Sequence, residues 1–172
     1  TDTVVAVFTN RGARLKSWKL KKYLDAQGQT LDLVPAGVSG QPLPFTLQVD
    51  DSARSTQLAS ALYAVSRPAG DSGPIAFEYR DSAGLHAVKT FSVDRTGYAV
   101  RFTGAVDVGG QAAPFTVQWG PGLGDGDGTT GRYAVKPGGL LMAGGKLQRL
   151  AAKDVAKQGV YSDDVKYAGV DD

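Results

Sequence analysis

Cysteine is absent from the 172 residues, while histidine, glutamate and methionine each occur once, the first two as His86 and Glu78. Without cysteine there is no thiolate nucleophile, no disulfide and no cysteine-ligated zinc. Such a chain suits an oxidising compartment, where it can form no wrong disulfide. A single histidine excludes a two-histidine metal site and a second imidazole for an acid–base relay. No serine stands in a Gly-x-Ser-x-Gly elbow, so a Ser–His–Asp triad has no nucleophile. No run reaches the roughly 20 apolar residues of a membrane-spanning helix. No charged-then-apolar leader opens the chain.

What is there is turn-forming and strand-forming. The chain holds 23 glycines, and its acidic residues are almost all aspartate, a residue of turns, where glutamate would favour helices. At 17.9 kDa the length fits one ordinary domain, which buries roughly 70% of its unfolded surface. The net charge of +2 is too small to indicate nucleic acid, and the aromatic residues fall at inward positions, not as stacking platforms. The distribution is sharper than the sum: Arg11, Arg14, Lys16, Lys19, Lys21 and Lys22 place six of nineteen basic residues within twelve positions.

Short alternating runs predict strands at Thr3–Thr9, Leu15–Tyr23, Leu31–Val34, Phe45–Val49, Leu58–Val65, Pro74–Arg80, His86–Val93, Tyr98–Val108 and Phe115–Trp119. Gly12 and Asn10 mark the turn between the first two. Period-two alternation with Gly/Pro punctuation predicts one-face-buried antiparallel sheets packed in two layers, with Trp18 and Trp119 in the core. No interior linker divides the chain, so one domain over 1–172 is expected. Pro44-Phe-Thr-Leu-Gln48 recurs as Pro114-Phe-Thr-Val-Gln118, read as two proline-started strands with an inward Phe. From Lys146 to Gln158 the pattern changes: Leu147, Leu150, Ala151 and Val155 share one helical face, predicting a short amphipathic helix. Strand over Leu140–Leu150 is the other reading. Tyr161–Val170 reads as a terminal strand.

Candidate chemistry is sparse. A tight turn at Asp81–Gly84 pairs Tyr79 with His86 and sends Glu78 to the opposite face, whereas a one-residue bulge reverses this. Asp125-Gly-Asp-Gly-Thr-Thr-Gly131 imitates a calcium loop at its first positions, but Thr130 stands where glycine is required and Lys136 where a bidentate Glu belongs. Gly120-Pro-Gly-Leu-Gly124 lacks the spacing of a dinucleotide fingerprint. The reading is no catalytic residue, no metal and no cofactor. The best functional candidates are the basic residues from Arg11 to Lys22. They either form a solvated strand face that blocks edge pairing or contact anionic headgroups or an acidic partner.

Phe8-Thr-Asn-Arg-Gly-Ala-Arg-Leu-Lys-Ser-Trp-Lys-Leu-Lys-Lys-Tyr-Leu-Asp25 resembles the opening of the large periplasmic domain of YidC-type membrane protein insertases. Lys89-Thr-Phe-Ser-Val-Asp-Arg-Thr-Gly-Tyr-Ala-Val-Arg-Phe102 resembles that family's Lys-Thr-Phe hairpin. Gln118-Trp-Gly-Pro-Gly-Leu-Gly124 is similar to the passage into a Gly-rich loop that follows it. Asp164-Val-Lys-Tyr-Ala-Gly-Val-Asp-Asp172 resembles the approach to the second transmembrane helix. The resemblance implies a mainly β fold, a β-supersandwich of two packed antiparallel sheets with a short helical segment near the C-terminus. It implies a soluble piece of a multi-pass inner-membrane protein, lying on the periplasmic side between its first two transmembrane helices. The implied function is accessory and non-catalytic: an interaction module of an insertase and chaperone that works alone or with the Sec translocon. Implied partners are the parent transmembrane region, translocon components, nascent membrane proteins and the membrane surface. The C-terminal residues Tyr161, Val165 and Tyr167 are then candidates for coupling to the membrane region. The competing readings are a carbohydrate-binding or mutarotase-like sandwich and a soluble periplasmic chaperone.

Overall fold

Alternation builds the first hairpin of the computed structural model. In β1 (Val4–Thr9) and β2 (Arg14–Leu24), Val4 and Ala6 lie opposite Leu20 and Trp18 on the inward face. Val5 and Val7 lie opposite Lys19 and Ser17 on the outward face. The register slips between Val7 and Phe8, so that Lys16 is an extra residue, a β-bulge. The structure describes residues 1–25, 27–34, 42–67, 73–120, 138–157 and 165–171. They belong to two units, Thr1–Gly122 and Leu123–Asp172.

In the first unit, β3 (Thr30–Asp32) joins the other edge of β2, giving a sheet ordered β1-β2-β3. A five-stranded antiparallel sheet runs β5 (Ala64–Ser66), β6 (Ile75–Arg80), β7 (Leu85–Val93), β8 (Val100–Val108) and β9 (Gln111–Ala112). The repeated phrases become partners: β4 (Thr46–Gln48) pairs antiparallel with β10 (Thr116–Gln118), Leu47 opposite Val117. Phe45 is buried and Phe115 packs half-buried against the core, as the inward-Phe reading expects. The inward faces share one core in which Val4, Leu15 and Trp18 meet Phe77, Leu85, Phe91 and Val106. Phe91 is its hub, with ring centroids 4.6 Å from Phe8, 5.1 Å from Phe45 and 5.2 Å from Phe102. Each such pair adds about 1 kcal/mol beyond simple area burial.

Three expectations are corrected in this unit. The strand expected at Leu58–Val65 begins in a helix and ends in a strand: α1 spans Ser52–Ser60, and of that range only Ala64 and Val65 belong to β5. Asp51 caps it by accepting from the Arg54 N–H at 3.0 Å, and Ser55 Oγ donates to the Asp51 carbonyl. Leu58 alone of this helix is buried, so no two-residue alternation exists to hold a strand. Trp119 is 42% exposed, unlike Trp18 at 6%. It follows β10, which pairs only with β4, and sets one ring edge against Phe45 at 4.7 Å. The third correction, at Glu78, is described with the site below.

The second unit is a sheet ordered β12-β11-β13, from β11 (Gly138–Ala143), β12 (Lys146–Ala151) and β13 (Val165–Asp171). The helix expected over Lys146–Gln158 is therefore β12 followed by α2 (Ala152–Lys157). Gly144 and Gly145, at φ +56° and +75°, form the two-residue turn that fits the right-handed twist of a hairpin. That turn forces Lys146 back along Ala143 and Leu147 along Met142, and strand wins over helical periodicity. The terminal strand is β13. The calcium-like loop lies outside the described residues, as does Tyr161.

Candidate functional site

The basic residues from Arg11 to Lys22 do not form one cluster; the hairpin strings them along its length and splits their roles. Arg11 and Arg14 sit at the β1–β2 turn and bind backbone: Arg11 Nη1 donates to the Ser60 carbonyl at 3.2 Å, and Arg14 Nε to the Arg11 carbonyl at 3.2 Å. Burial and the neighbouring Arg11 charge push Arg14 below its ordinary pKa. Lys16, Lys19 and Lys22 are exposed, and among the described residues no ion pair engages them. Lys21 Nζ donates to the Thr1 carbonyl. Asp32, opposite Lys19 across the strands, spends its carboxylate on Ser17 Oγ at 2.5 Å and on the Trp18 and Val34 N–H groups. The row from Lys16 to Lys22 spans roughly 20 Å of strand.

The turn itself is pinned by a residue the sequence reading passed over. Lys89 on β7 is 0% exposed. Its Nζ donates to the carbonyls of Gly12 at 2.6 Å, Ala13 at 3.1 Å and Phe45 at 2.7 Å, and lies 5.6 Å from the Tyr63 ring centroid. Three carbonyls match the three donors of an ammonium. Gly12, Ala13 and Phe45 all have positive φ, a strained backbone for the two non-glycine residues. Lys89 thus ties down the turn that leads into the basic strand. Burial, then the Arg14 charge, pushes its pKa down to about 7. Tyr63, buried over the same pocket, is pushed upward by burial and by Tyr79, and its hydroxyl donates to the Leu58 carbonyl. The available signal was parity: Leu85, Ala87, Lys89 and Phe91 occupy successive inward positions of β7.

Glu78 lies on the same face as His86, contrary to the pairing expected from a tight turn. Arg80 pairs with His86 and Tyr79 with Ala87, because the Asp81 carboxylate accepts from Leu85 N–H and closes the turn one residue longer. The contacts of Asp81 with Leu85 N–H and then Gln57 hold its carboxyl below the usual range. His86 Nε2 is 2.9 Å from Glu78 Oε1, and Nδ1 is 3.2 Å from Asp107 Oδ2. Arg80 Nη2 approaches the same ring nitrogen at 3.3 Å. The two carboxylates occupy opposite nitrogens of one ring and do not converge on a shared point where a metal could sit. Among the described residues no cluster suited to a metal occurs.

On the C-terminal candidates, β13 carries Val165 opposite Ala143 and Tyr167 opposite Met142. The backbone is thereby placed in the second sheet.

The strands and their pairings define a mainly β chain of antiparallel sheets, with two short helices among the described residues. The family model of the YidC periplasmic domain matches residues 1–171, and the chain belongs to that family. Membership assigns it to a YidC-type insertase, on the periplasmic side of the membrane that holds the parent. No curated protein and no solved structure matches the chain. No described helix is long and apolar enough to cross a membrane.

Proposed function

We propose that this domain is an accessory, non-catalytic interaction module of its insertase, and that both of its units act together as one periplasmic domain. The observation that carries this reading is three exposed lysines of β2 without ion partners among the described residues: Lys16 at the bulge, Lys19 on the outward face, and Lys22 at the strand end, past Leu20. Charges arranged this way do not stabilise the fold and are free to attract an acidic surface. The family match across both units supports their joint action. An open cavity of about 650 Å³ between β1 and the β6–β7 pair, lined by the apolar Val4, Ala6, Phe8, Ile75, Phe91 and Val93 and by the charged Asp2, Lys21, Arg67 and Arg95, is a second place where an extended segment of an emerging chain can lie. Translocon components working beside the insertase are the expected protein partners. Tyr161, Val165 and Tyr167 are assigned to coupling with the transmembrane region. Photo-crosslinking residues placed at Lys19 and at Tyr167 in the full-length parent test the reading. Adducts at both positions in native membranes are expected, and their absence at Lys19 removes its basis.

The His86–Glu78–Asp107 contact favours one other reading, a sugar-directed activity, since an imidazole beside carboxylates can move a proton. It predicts faster interconversion of sugar anomers, followed by polarimetry, that is abolished by His86→Ala. We favour the interaction module because both carboxylates are already engaged by the ring.

A further inference from the structure

The outward face of the β1–β2 hairpin is not uniformly polar. Val5, opposite Lys19, and Val7, opposite Ser17, are exposed there; beyond Leu20 the strand runs on past β1, so Lys22 and Leu24, on the side of Trp18 and Leu20, are exposed at its end together with Tyr23. Leu24 is 65% and Tyr23 50% exposed. Tyr98 closes edge-on against Tyr23, with ring centroids 5.9 Å apart, and is itself exposed. One end of the first unit therefore shows two tyrosines and a leucine beside a run of lysines.

Three carboxylates share that region besides Asp2. Asp25 accepts from the N–H groups of Gln27 and Gln29, Asp94 from those of Thr96 and Gly97, and Asp32 is held as described. Each is turned to its own backbone turn. Lys19 and Lys22 are not, although Lys21 donates to the Thr1 carbonyl, and β2 contains no acidic residue. Apolar tips flanked by ammonium groups on a projecting strand suit a flat surface that is anionic outside and apolar beneath. Tyrosine and leucine enter the headgroup boundary while lysines stay at the phosphates.

We infer that the exposed end of β2, from Lys19 to Leu24, with Val5 and Tyr98 beside it, is a docking surface for a bilayer of anionic phospholipid. The inference rests on the interaction-module reading and narrows its partner to lipid. The bilayer then orients the hairpin, and with it the domain, against the membrane that holds the parent.

Co-sedimentation of the 172-residue chain with vesicles tests it, using equal parts phosphatidylglycerol and phosphatidylcholine against phosphatidylcholine alone. Binding to the anionic vesicles only, weakened as salt rises, is expected. Lys19→Gln with Lys22→Gln should weaken it about thirtyfold, at about fivefold for each lysine near a charged surface. Leu24→Asp should weaken it at constant lysine charge, a loss that simple charge attraction does not predict. Arg101→Glu, an exposed change on β8, should act far less than the Lys19/Lys22 pair; an equal loss overturns the assigned surface. Equal binding to both vesicle types, or no effect of either hairpin variant, also overturns it. Polyglutamate binding that depends on Lys19 and Lys22, with no vesicle binding, refutes the lipid inference and leaves the interaction module standing. Loss of crosslinks at Lys19 in the parent refutes both.

Discussion

Replacing Lys89 by methionine tests whether a buried ammonium on three carbonyls holds the basic hairpin in place. The acceptors are backbone groups of Gly12, Ala13 and Phe45, at 2.6, 3.1 and 2.7 Å, so no second mutation can remove them. Each carbonyl left without its donor costs about 1–3 kcal/mol. The opposing term is the lysine's own desolvation. Its fall from 10.5 to about 7 corresponds to roughly 5 kcal/mol of preference for the neutral amine over its state in water. The sign of the pH dependence follows from proton counts. Below about pH 7 the folded and unfolded states both hold the proton, and the folded state bears the whole penalty. Above it the unfolded chain binds more protons, so stability rises with pH until the unfolded lysine also titrates, near 10.5.

The cost of Lys89→Met is therefore pH-dependent. It should be largest near pH 9, on the order of 4 kcal/mol, and smaller near pH 6 by roughly 3 kcal/mol as the wild type loses its alkaline gain. Urea melts of both proteins across that range, followed by circular dichroism, give the difference directly, and the titrations of other groups cancel between them. A variant as stable as the wild type at pH 9 would show that the three carbonyls need no donor. A gap that widens towards acid would show that the ammonium is the preferred form and that burial does not dominate.

Gly12→Ala should cost about 3 kcal/mol or more, because the added Cβ meets the Ala59 carbonyl oxygen at 2.4 Å and the backbone is at φ +69°. Gly28→Ala, at φ +76° in open space, should cost only about 1 kcal/mol in the same denaturant melts; equal costs would remove the packing argument. Acrylamide should quench Trp119 strongly and Trp18 weakly, so Trp119→Phe leaves a blue-shifted, protected emission; equal quenching in both single-tryptophan variants contradicts the assigned exposures. Deleting residues 161–172 removes β13 and the register from Gly138 to Ala143 that it shares with β11, leaving a two-stranded hairpin that is marginal alone. Faster amide exchange at Leu140–Met142 is expected, and unchanged protection there refutes it.

The sheets were readable where one face is buried and the other wet. β1, β6, β7 and β8 carry that two-residue period, β2 carries it on either side of its bulge at Lys16, and these strands lie near the expected bounds. α1 escaped because its evidence is a cap and one buried leucine, not a repeat: Asp51 and Ser55 start the helix, and Leu58 anchors it. Over β12 the sequence allows helix, because Leu147 and Leu150 stand three apart, or strand over Leu140–Leu150; the two-glycine turn decides for strand by fixing the return path of the chain. The contact of Glu78 with His86 depends on how the turn closes, with Asp81 N–H donating to the Leu85 carbonyl and the Asp81 carboxylate accepting from Leu85 N–H, and that closure fits the register of the whole hairpin. The basic strand was visible as composition. Its division into backbone-binding arginines and unpaired lysines was not, since it depends on where the turn meets α1.

That division explains how one hairpin can serve both stability and recognition. The inward face of β2 gives Leu15 and Trp18 to the core, and its turn is fixed by Lys89, by Gly12 against α1, and by Arg11 on the Ser60 carbonyl. Among the described residues, no ion pair that holds the fold involves the Lys16, Lys19 or Lys22 side chain. Exposed substitutions of that kind usually change stability by less than about 0.5 kcal/mol. These three exposed lysines can therefore be altered in charge while the strand keeps its register. If Lys19→Gln with Lys22→Gln instead lowered the unfolding midpoint as far as a core substitution, the two faces would not be separable, and binding losses in such variants could not be assigned to the surface.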